Sequence, residues 1–263
     1  MSSIKDAFAH NDNGKAFIAF VTAGDPSLDV TEELVIAMAE EGVDLIELGI
    51  PFSDPTAEGT VIQDANLRAL AQGVTTDDVF DMVERVRGRG CSVPMVFMTY
   101  ANVVFSYGIE RFAKRERQVG MQGIILPDVP FEEKAEFAEP FAAEGLELVS
   151  LIAPTSAERI GAIAREAQGF VYCVSSLGVT GVRNQITTDI GAMVKLVRTA
   201  NPDVPVAVGF GISTPEQAAR MAALSDGAIV GSAIIKLIAQ HGEGCVEPVR
   251  AYVRTMVEAV RTA

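Results

Sequence analysis

Short, nearly continuous apolar runs recur along this chain, each pair separated by room for one amphipathic helix, and that alternation limits the folds open to it. The runs are 16–22 (AFIAFVT), 44–49 (DLIELG), 94–99 (PMVFMT), 123–126 (GIIL), 147–152 (ELVSLI), 170–174 (FVYCV), 204–208 (VPVAV) and 227–230 (GAIV). Each is rich in Val, Ile and Phe with little polar alternation, the pattern of a parallel strand covered on both faces. Helical periodicity fills the intervals at 28–41, 76–87, 109–119, 132–144, 158–167, 188–199, 215–224 and 233–239, the last running on towards 263. Thr214-Pro215-Glu216-Gln217 is a capping box with proline at the first helical position, which marks one helix start.

Eight strand–helix units with no composition break or linker predict an α/β fold of the (β/α)8 TIM-barrel type. The expectation is one domain spanning 1–263 with a short N-terminal helix. A doubly wound open sheet is the rival. Against it, the turn after the first run is Thr22-Ala-Gly-Asp-Pro26, not the G-x-G-x-x-G of a dinucleotide fold.

The bulk chemistry narrows function. The formal net charge of −14 argues against nucleic acid and anionic membranes as partners. A phosphate ligand would have to be held locally, by backbone N–H groups or a helix end. No apolar run approaches the roughly 20 residues that span a bilayer, and the polar start MSSIKDAFAHNDNGK does not read as a signal peptide. Cys91, Cys173 and Cys245 are odd in number and widely spaced, which suits reduced thiols in a cytoplasmic protein. His10 and His241 have no carboxylate or cysteine at ligand spacing, so no metal is expected. Acid–base chemistry then falls to carboxylates, tyrosine or lysine.

Three carboxylates stand out in DLIELGIPFSDPTAEG (44–59). On the second run Leu45, Glu47 and Gly49 share one face. A lumen-facing Glu47 near the strand's carboxyl end would be partly desolvated, its pKa raised towards neutrality, and so usable as a general acid or base. A structural ion pair is the other reading, but the strand has no basic neighbour. Asp54, in Ser-Asp-Pro, suits turn architecture. Glu58, between Ala57 and Gly59, is a loop acid whose interest lies in its nearness to Glu47. Late in the chain come Gly178-Val-Thr-Gly181, Gly209-Phe-Gly-Ile-Ser213 and Gly231-Ser232, where barrels often bind phosphate. The expected ligand is a small molecule with a phosphate tail and its reacting centre over Glu47.

With these residues in view, the chain resembles the tryptophan synthase alpha subunit family. FVTAGDP (20–26), ELGIPFSDP (47–55), VIQDANLRAL (61–70), MTYANVVFSYG (98–108), LPDVP (126–130), VSSLGVTGVRN (174–184), GFGIS (209–213) and GSAIIK (231–236) carry the resemblance over nearly the whole length. It implies a (β/α)8 barrel that cleaves indole-3-glycerol phosphate to indole and glyceraldehyde 3-phosphate by retro-aldol chemistry. It also implies no cofactor in this chain and a beta-subunit partner that carries pyridoxal phosphate, in an alpha-beta-beta-alpha complex.

By motif, the resemblance makes Glu47 the acid–base glutamate, Tyr100 a residue at the reacting centre, and Phe20, Met98 and Ile125 the indole wall. Tyr172 and Phe210 join the substrate-binding set. Gly181, Gly211, Gly231 and Ser232 are implied for the phosphate, and Thr180 for a loop that closes over substrate. Residues 53–60, LPDVP and the region near Asn102 are implied to face the partner. One departure matters: the family's catalytic aspartate in PFSDPxADGP is here Glu58, and the following proline is Thr60. Glutamate can serve the same electrostatic role from one bond further out, so a competent variant with a differently set loop is expected. A stand-alone indole-releasing lyase and a weakened barrel that mainly activates a partner are the alternatives.

Overall fold

The computed structural model describes residues 3–9, 11, 13–174, 189–209 and 211–263. Its strands are β1 Ala16–Thr22, β2 Leu45–Gly49, β3 Met95–Met98, β4 Gly123–Ile125, β5 Glu147–Ile152, β6 Gln168–Val174, β7 Val206–Gly209 and β8 Gly227–Val230. Each pairs in parallel with the next, and β8 returns to β1, closing the barrel. Every expected run is a strand, with ends shifted by no more than two residues. The rival open sheet is excluded by the closure.

Period-two alternation sorts the strand residues between helix layer and lumen. On β3, Phe97 faces outward: its ring meets Phe80 of α4 (Thr76–Gly88) at 5.4 Å and Phe112 of α6 (Ile109–Gln118) at 6.2 Å. Val96 and Met98 therefore point inward, and the register carries that direction across the sheet. Phe20, Glu47 and Val96 lie on one rung, and Thr22, Gly49, Met98 and Ile125 on the next towards the carboxyl ends. At the opposite end α1 (Ile4–Ala9) plugs the barrel, its Phe8 ring 5.6 Å from that of Phe170. Gly123 is required where β4 meets β5, because a Cβ there would sit 2.1 Å from the Glu147 carbonyl oxygen.

The remaining helices are α2 Leu28–Glu40, α3 Thr60–Ala71, α5 Ala101–Tyr107, α7 Ala135–Ala143, α8 Ala157–Glu166, α9 Ile190–Ala200, α10 Pro215–Leu224, α11 Ser232–His241 and α12 Val246–Arg261. The sequence reading missed α3 and α5 as helices. The buried positions of α3 are Ile62, Ala65, Asn66 and Ala69, spaced for a helix but mostly small or polar, and its N-cap Gly59 has no capping side chain. Neither periodicity nor capping chemistry announces it. The last helix was expected to run unbroken to the C-terminal region; a 3₁₀ turn at Gly242–Gly244, entered with Gly242 at φ 54°, splits it into α11 and α12. Similarly, a 3₁₀ turn at Phe131–Glu133 delays the start of α7 to Ala135.

One position in the helix layer breaks the usual rule for buried charge. Glu116, on the inner face of α6, is fully buried, and neither carboxyl oxygen has a hydrogen-bond partner. Burial raises its pKa well above the ordinary 4.5. The unfolded chain releases this proton at a lower pH than the folded one does. The stability tied to it is therefore complete below the unfolded value and is lost as pH rises towards the folded value. Glu116→Met, which keeps the volume and removes the polar atoms, is expected to stabilise the protein by about 1–3 kcal/mol at neutral pH. Chemical denaturation at pH 5 and pH 8 checks this, with a larger gain expected at the higher pH.

Candidate active site

Glu47 reaches the lumen because strand alternation puts it on the inward face of β2, which pairs with β1 on one side and β3 on the other. Its rung partners are Phe20 and Val96, both apolar. The residue is 1% exposed and its Oε1 has no hydrogen-bond partner among the described residues. Desolvation disfavours the carboxylate, and burial alone pushes the pKa up to about 8. At neutral pH Glu47 is thus mainly the neutral acid, with a proton to give.

The second carboxyl arrives from the loop between β2 and α3. Glu58 is only 4% exposed, drawn in from its loop out of solvent. Asn66 Nδ2, on the buried face of α3, donates to Glu58 Oε2 at 2.7 Å, and Gln63 Nε2 donates to the Glu58 carbonyl at 2.7 Å. Burial raises the Glu58 pKa to about 7, and hydrogen bonds from Asn66 and the Tyr100 hydroxyl pull in the other direction. Tyr100 occupies the N-cap of α5, stacks on Phe52 at 5.3 Å, and accepts from the Ala57 N–H at 3.1 Å. Burial and the Glu58 charge lift its own pKa above 10. Asp54 is exposed and accepts from Ser53 Oγ at 2.5 Å, in keeping with turn architecture.

The aromatic walls are seated by glycines. A Cβ on Gly49 would lie 2.8 Å from Phe20 Cζ, and one on Gly231 would lie 3.1 Å from Phe20 Cδ1, so the Phe20 ring occupies the space both leave open. Tyr172 on β6 lies against Gly209 in the same way, where a Cβ would be 2.4 Å from the hydroxyl. The Tyr172 hydroxyl is held well above its usual pKa, first by burial and then by the charge of Glu47. Met98 and Ile125 share the upper rung of the lumen.

Gly211 has φ 80°, which favours glycine, and Gly231 with Ser232 forms the start of α11. No side chain caps that helix end, so its first N–H groups are available to an anion. Thr180, Gly181 and Phe210 lie outside the described residues. Sequence reasoning did not identify Gly49 and Gly209 as seats for the aromatic rings, or Asn66 as the partner of Glu58. The short-range signal for Asn66 was a polar residue on the apolar spacing of 62, 65, 66 and 69. Among the described residues no cluster of His, Cys, Asp or Glu is arranged to hold a metal ion, and no helix is long and apolar enough to cross a membrane.

Carbon-13 NMR of the glutamate carboxyls should show resonances titrating near pH 8 and pH 7, lost respectively in Glu47→Gln and Glu58→Gln. Titration of both groups near the ordinary 4.5 would contradict the burial described here.

Comparison with known proteins agrees with this geometry. A family model described as "Tryptophan synthase alpha chain" matches residues 7–261. The tryptophan synthase alpha chain of Lactiplantibacillus plantarum is 49% identical over 252 residues, covering 95% of this chain and 93% of the relative. That of Geobacter sulfurreducens is 50% identical over 241 residues, covering 90% of each. The crystal structure of tryptophan synthase subunit alpha from Legionella pneumophila superposes with a TM-score of 0.90 at 35% identity, covering 100% of both chains. A chain of the tryptophan synthase complex from Pyrococcus furiosus gives 0.82 at 33% identity, covering 94% of this chain and 99% of that one. The chain belongs to the tryptophan synthase alpha chain family.

Proposed function

We propose that Glu47, Glu58 and Tyr100 carry out the alpha reaction, in which this lyase of tryptophan biosynthesis cleaves indole-3-glycerol phosphate to indole and glyceraldehyde 3-phosphate. The observation that carries the assignment is the neutral Glu47 carboxyl, buried at the ligand end of β2 with a pKa of about 8. Glu47 gives its proton to the ring carbon that bears the glycerol chain. Glu58, as carboxylate, accepts from the indole N–H and stabilises the positive charge that develops on the ring. The Glu47 carboxylate then takes the proton of the glycerol hydroxyl as the carbon–carbon bond breaks. The bonding electrons restore the indole ring, and Glu47 ends as it began, protonated. Tyr100 joins Asn66 in bonding the Glu58 carboxyl.

Phe20, Met98, Ile125 and Tyr172 form the pocket for the ring, and Phe210 is assigned to substrate binding. The phosphate falls to the backbone of Gly181, Gly211 and Gly231 and to Ser232, where the uncapped start of α11 supplies N–H groups and a favourable dipole. Thr180 is assigned to substrate binding. Glutamate at 58 is compatible with this role because its carboxyl is already drawn inward and doubly hydrogen-bonded.

We assign the chain one domain over 1–263, a cytoplasmic location, no cofactor of its own, and a beta subunit carrying pyridoxal phosphate as partner in an alpha-beta-beta-alpha complex. The relative from Pyrococcus furiosus, described as part of a tryptophan synthase complex, supports the partner.

The purified chain should release indole slowly by itself and about tenfold faster or more with a beta subunit added, by the positioning gain that loop placement brings. Fast release without a partner would mean a stand-alone lyase. No release in either condition would mean a binding barrel. Glu47→Gln should lower kcat by about 10²–10⁴-fold. The kcat/KM profile should be bell-shaped: activity falls below about pH 7 as Glu58 gains a proton, and above about pH 8 as Glu47 loses one.

A further inference from the structure

We infer that Asn66 is a positioning residue for this reaction: from the buried face of α3 it fixes the Glu58 carboxylate in the orientation the ring nitrogen needs. The inference rests on the role given to Glu58 above and extends it to a residue outside the substrate pocket.

Glu58 belongs to a connection between strand and helix, so the loop itself does little to hold the far end of its side chain. The hold comes from elsewhere. Asn66 follows by eight positions, on the second turn of α3, and is itself only 4% exposed. Its Nδ2 donates to Glu58 Oε2 at 2.7 Å, a short bond of the charge-assisted kind when the carboxyl is ionised. The same helix reaches back through Gln63, whose Nε2 donates to the Glu58 main-chain carbonyl at 2.7 Å. Side chain and backbone of Glu58 are thus both tied to one rigid element.

That element is in turn anchored to the barrel. Arg68, two residues beyond Asn66, makes a two-pronged bond to Asp25, with Nε at 2.7 Å and Nη2 at 2.8 Å. Asp25 is buried in the turn after β1, next to Gly24, whose N–H donates to Thr31 Oγ1 at 3.0 Å. Gln72 Nε2 donates to the carbonyl of Pro26 in the same turn. The position of the Glu58 carboxylate therefore passes through Asn66 and α3 to the β1 turn. A side chain one bond longer than aspartate has more conformations to lose, and an external donor removes them.

The titratable groups on surrounding elements are few. Tyr100, after β3, bonds to Glu58. Asp128, after β4, accepts from the Ala101 N–H. Glu47 lies on β2 in the lumen, and Asp54 and Asp64 are exposed on the same segment as Glu58. Among the described residues no Lys or Arg is bonded to the Glu58 carboxyl, so its ionised form depends on the Asn66 and Tyr100 donors. Removing Asn66 should therefore misplace the carboxylate and make it harder to ionise.

The test is the pH profile of indole release by the full chain in the presence of a beta subunit, for Asn66→Ala and the isosteric Asn66→Asp. Asn66→Ala should lower kcat about tenfold or more, leave KM within about threefold, and move the acid limb of kcat/KM up by about one pH unit. Asn66→Asp, which sets a like charge against Glu58, should move that limb further in the same direction. It also keeps the shape of the site should the alanine variant fail to fold by circular dichroism. An acid limb that stays at the parent pH in Asn66→Asp overturns the inference, as does a change confined to KM. Glu58→Ala separates the two levels. If it cleaves as well as the parent, the role of Glu58 itself is wrong; if it is inactive while the limb in Asn66→Asp is unmoved, only the role of Asn66 is wrong.

Discussion

A carboxyl group held in an apolar barrel lumen is the constraint on which the site depends. β2 lies between β1 and β3, which present Phe20 and Val96 to Glu47 on its own rung. An ionised carboxylate in such surroundings would carry a large desolvation cost, so the group stays neutral instead. That neutrality is the property acid catalysis requires. The burial that would be a defect in an ordinary core residue supplies a proton donor near physiological pH.

Glu47 and Glu58 are buried by different means. Glu47 is placed by a strand, whose register and alternation leave no freedom over where the side chain points. Glu58 is placed by a loop and becomes buried only through contacts made by other elements: Asn66 and Gln63 from α3, Tyr100 from the start of α5. Their pKa values, about 8 for Glu47 and about 7 for Glu58, are separated in the sense that a proton donor and an anionic partner would need. Donors at Glu58 and an orphaned oxygen at Glu47 account for the difference. Glycine makes a third contribution. Gly49, Gly231 and Gly209 are small because Phe20 and Tyr172 occupy the volumes their side chains would fill. The glycine-rich turns thus make room for the aromatic wall.

Much of this was legible in sequence where the signal is local. The apolar runs located all eight strands, and the capping box at Thr214 located the start of α10. Glu47 stood out because a polar residue in an apolar run has a defined direction once the run is a strand. By contrast, α3 escaped because its buried face is made of alanines and an asparagine, and α5 because Tyr100 caps it without a side-chain bond. The burial of Glu58 was not legible from its neighbours, alanine and glycine: its cover comes from Gln63 and Asn66 on the unrecognised α3 and from Tyr100.

The sequence by itself determined the period of the strands, the alternation with helices, the face on which Glu47 lies and, through motifs spread along the chain, the family. Tertiary structure alone decided which distant side chains close over Glu58, which rings the glycines make room for, and how the Asp25–Arg68 pair ties α3 to the first turn. Periodicity and turn chemistry are properties of a few consecutive residues and are written in their order. Desolvation and hydrogen bonding at the site depend on groups 8, 42 or 43 positions apart, such as Asn66 and Glu58, Tyr100 and Glu58, or Arg68 and Asp25, and only the closed barrel brings them together.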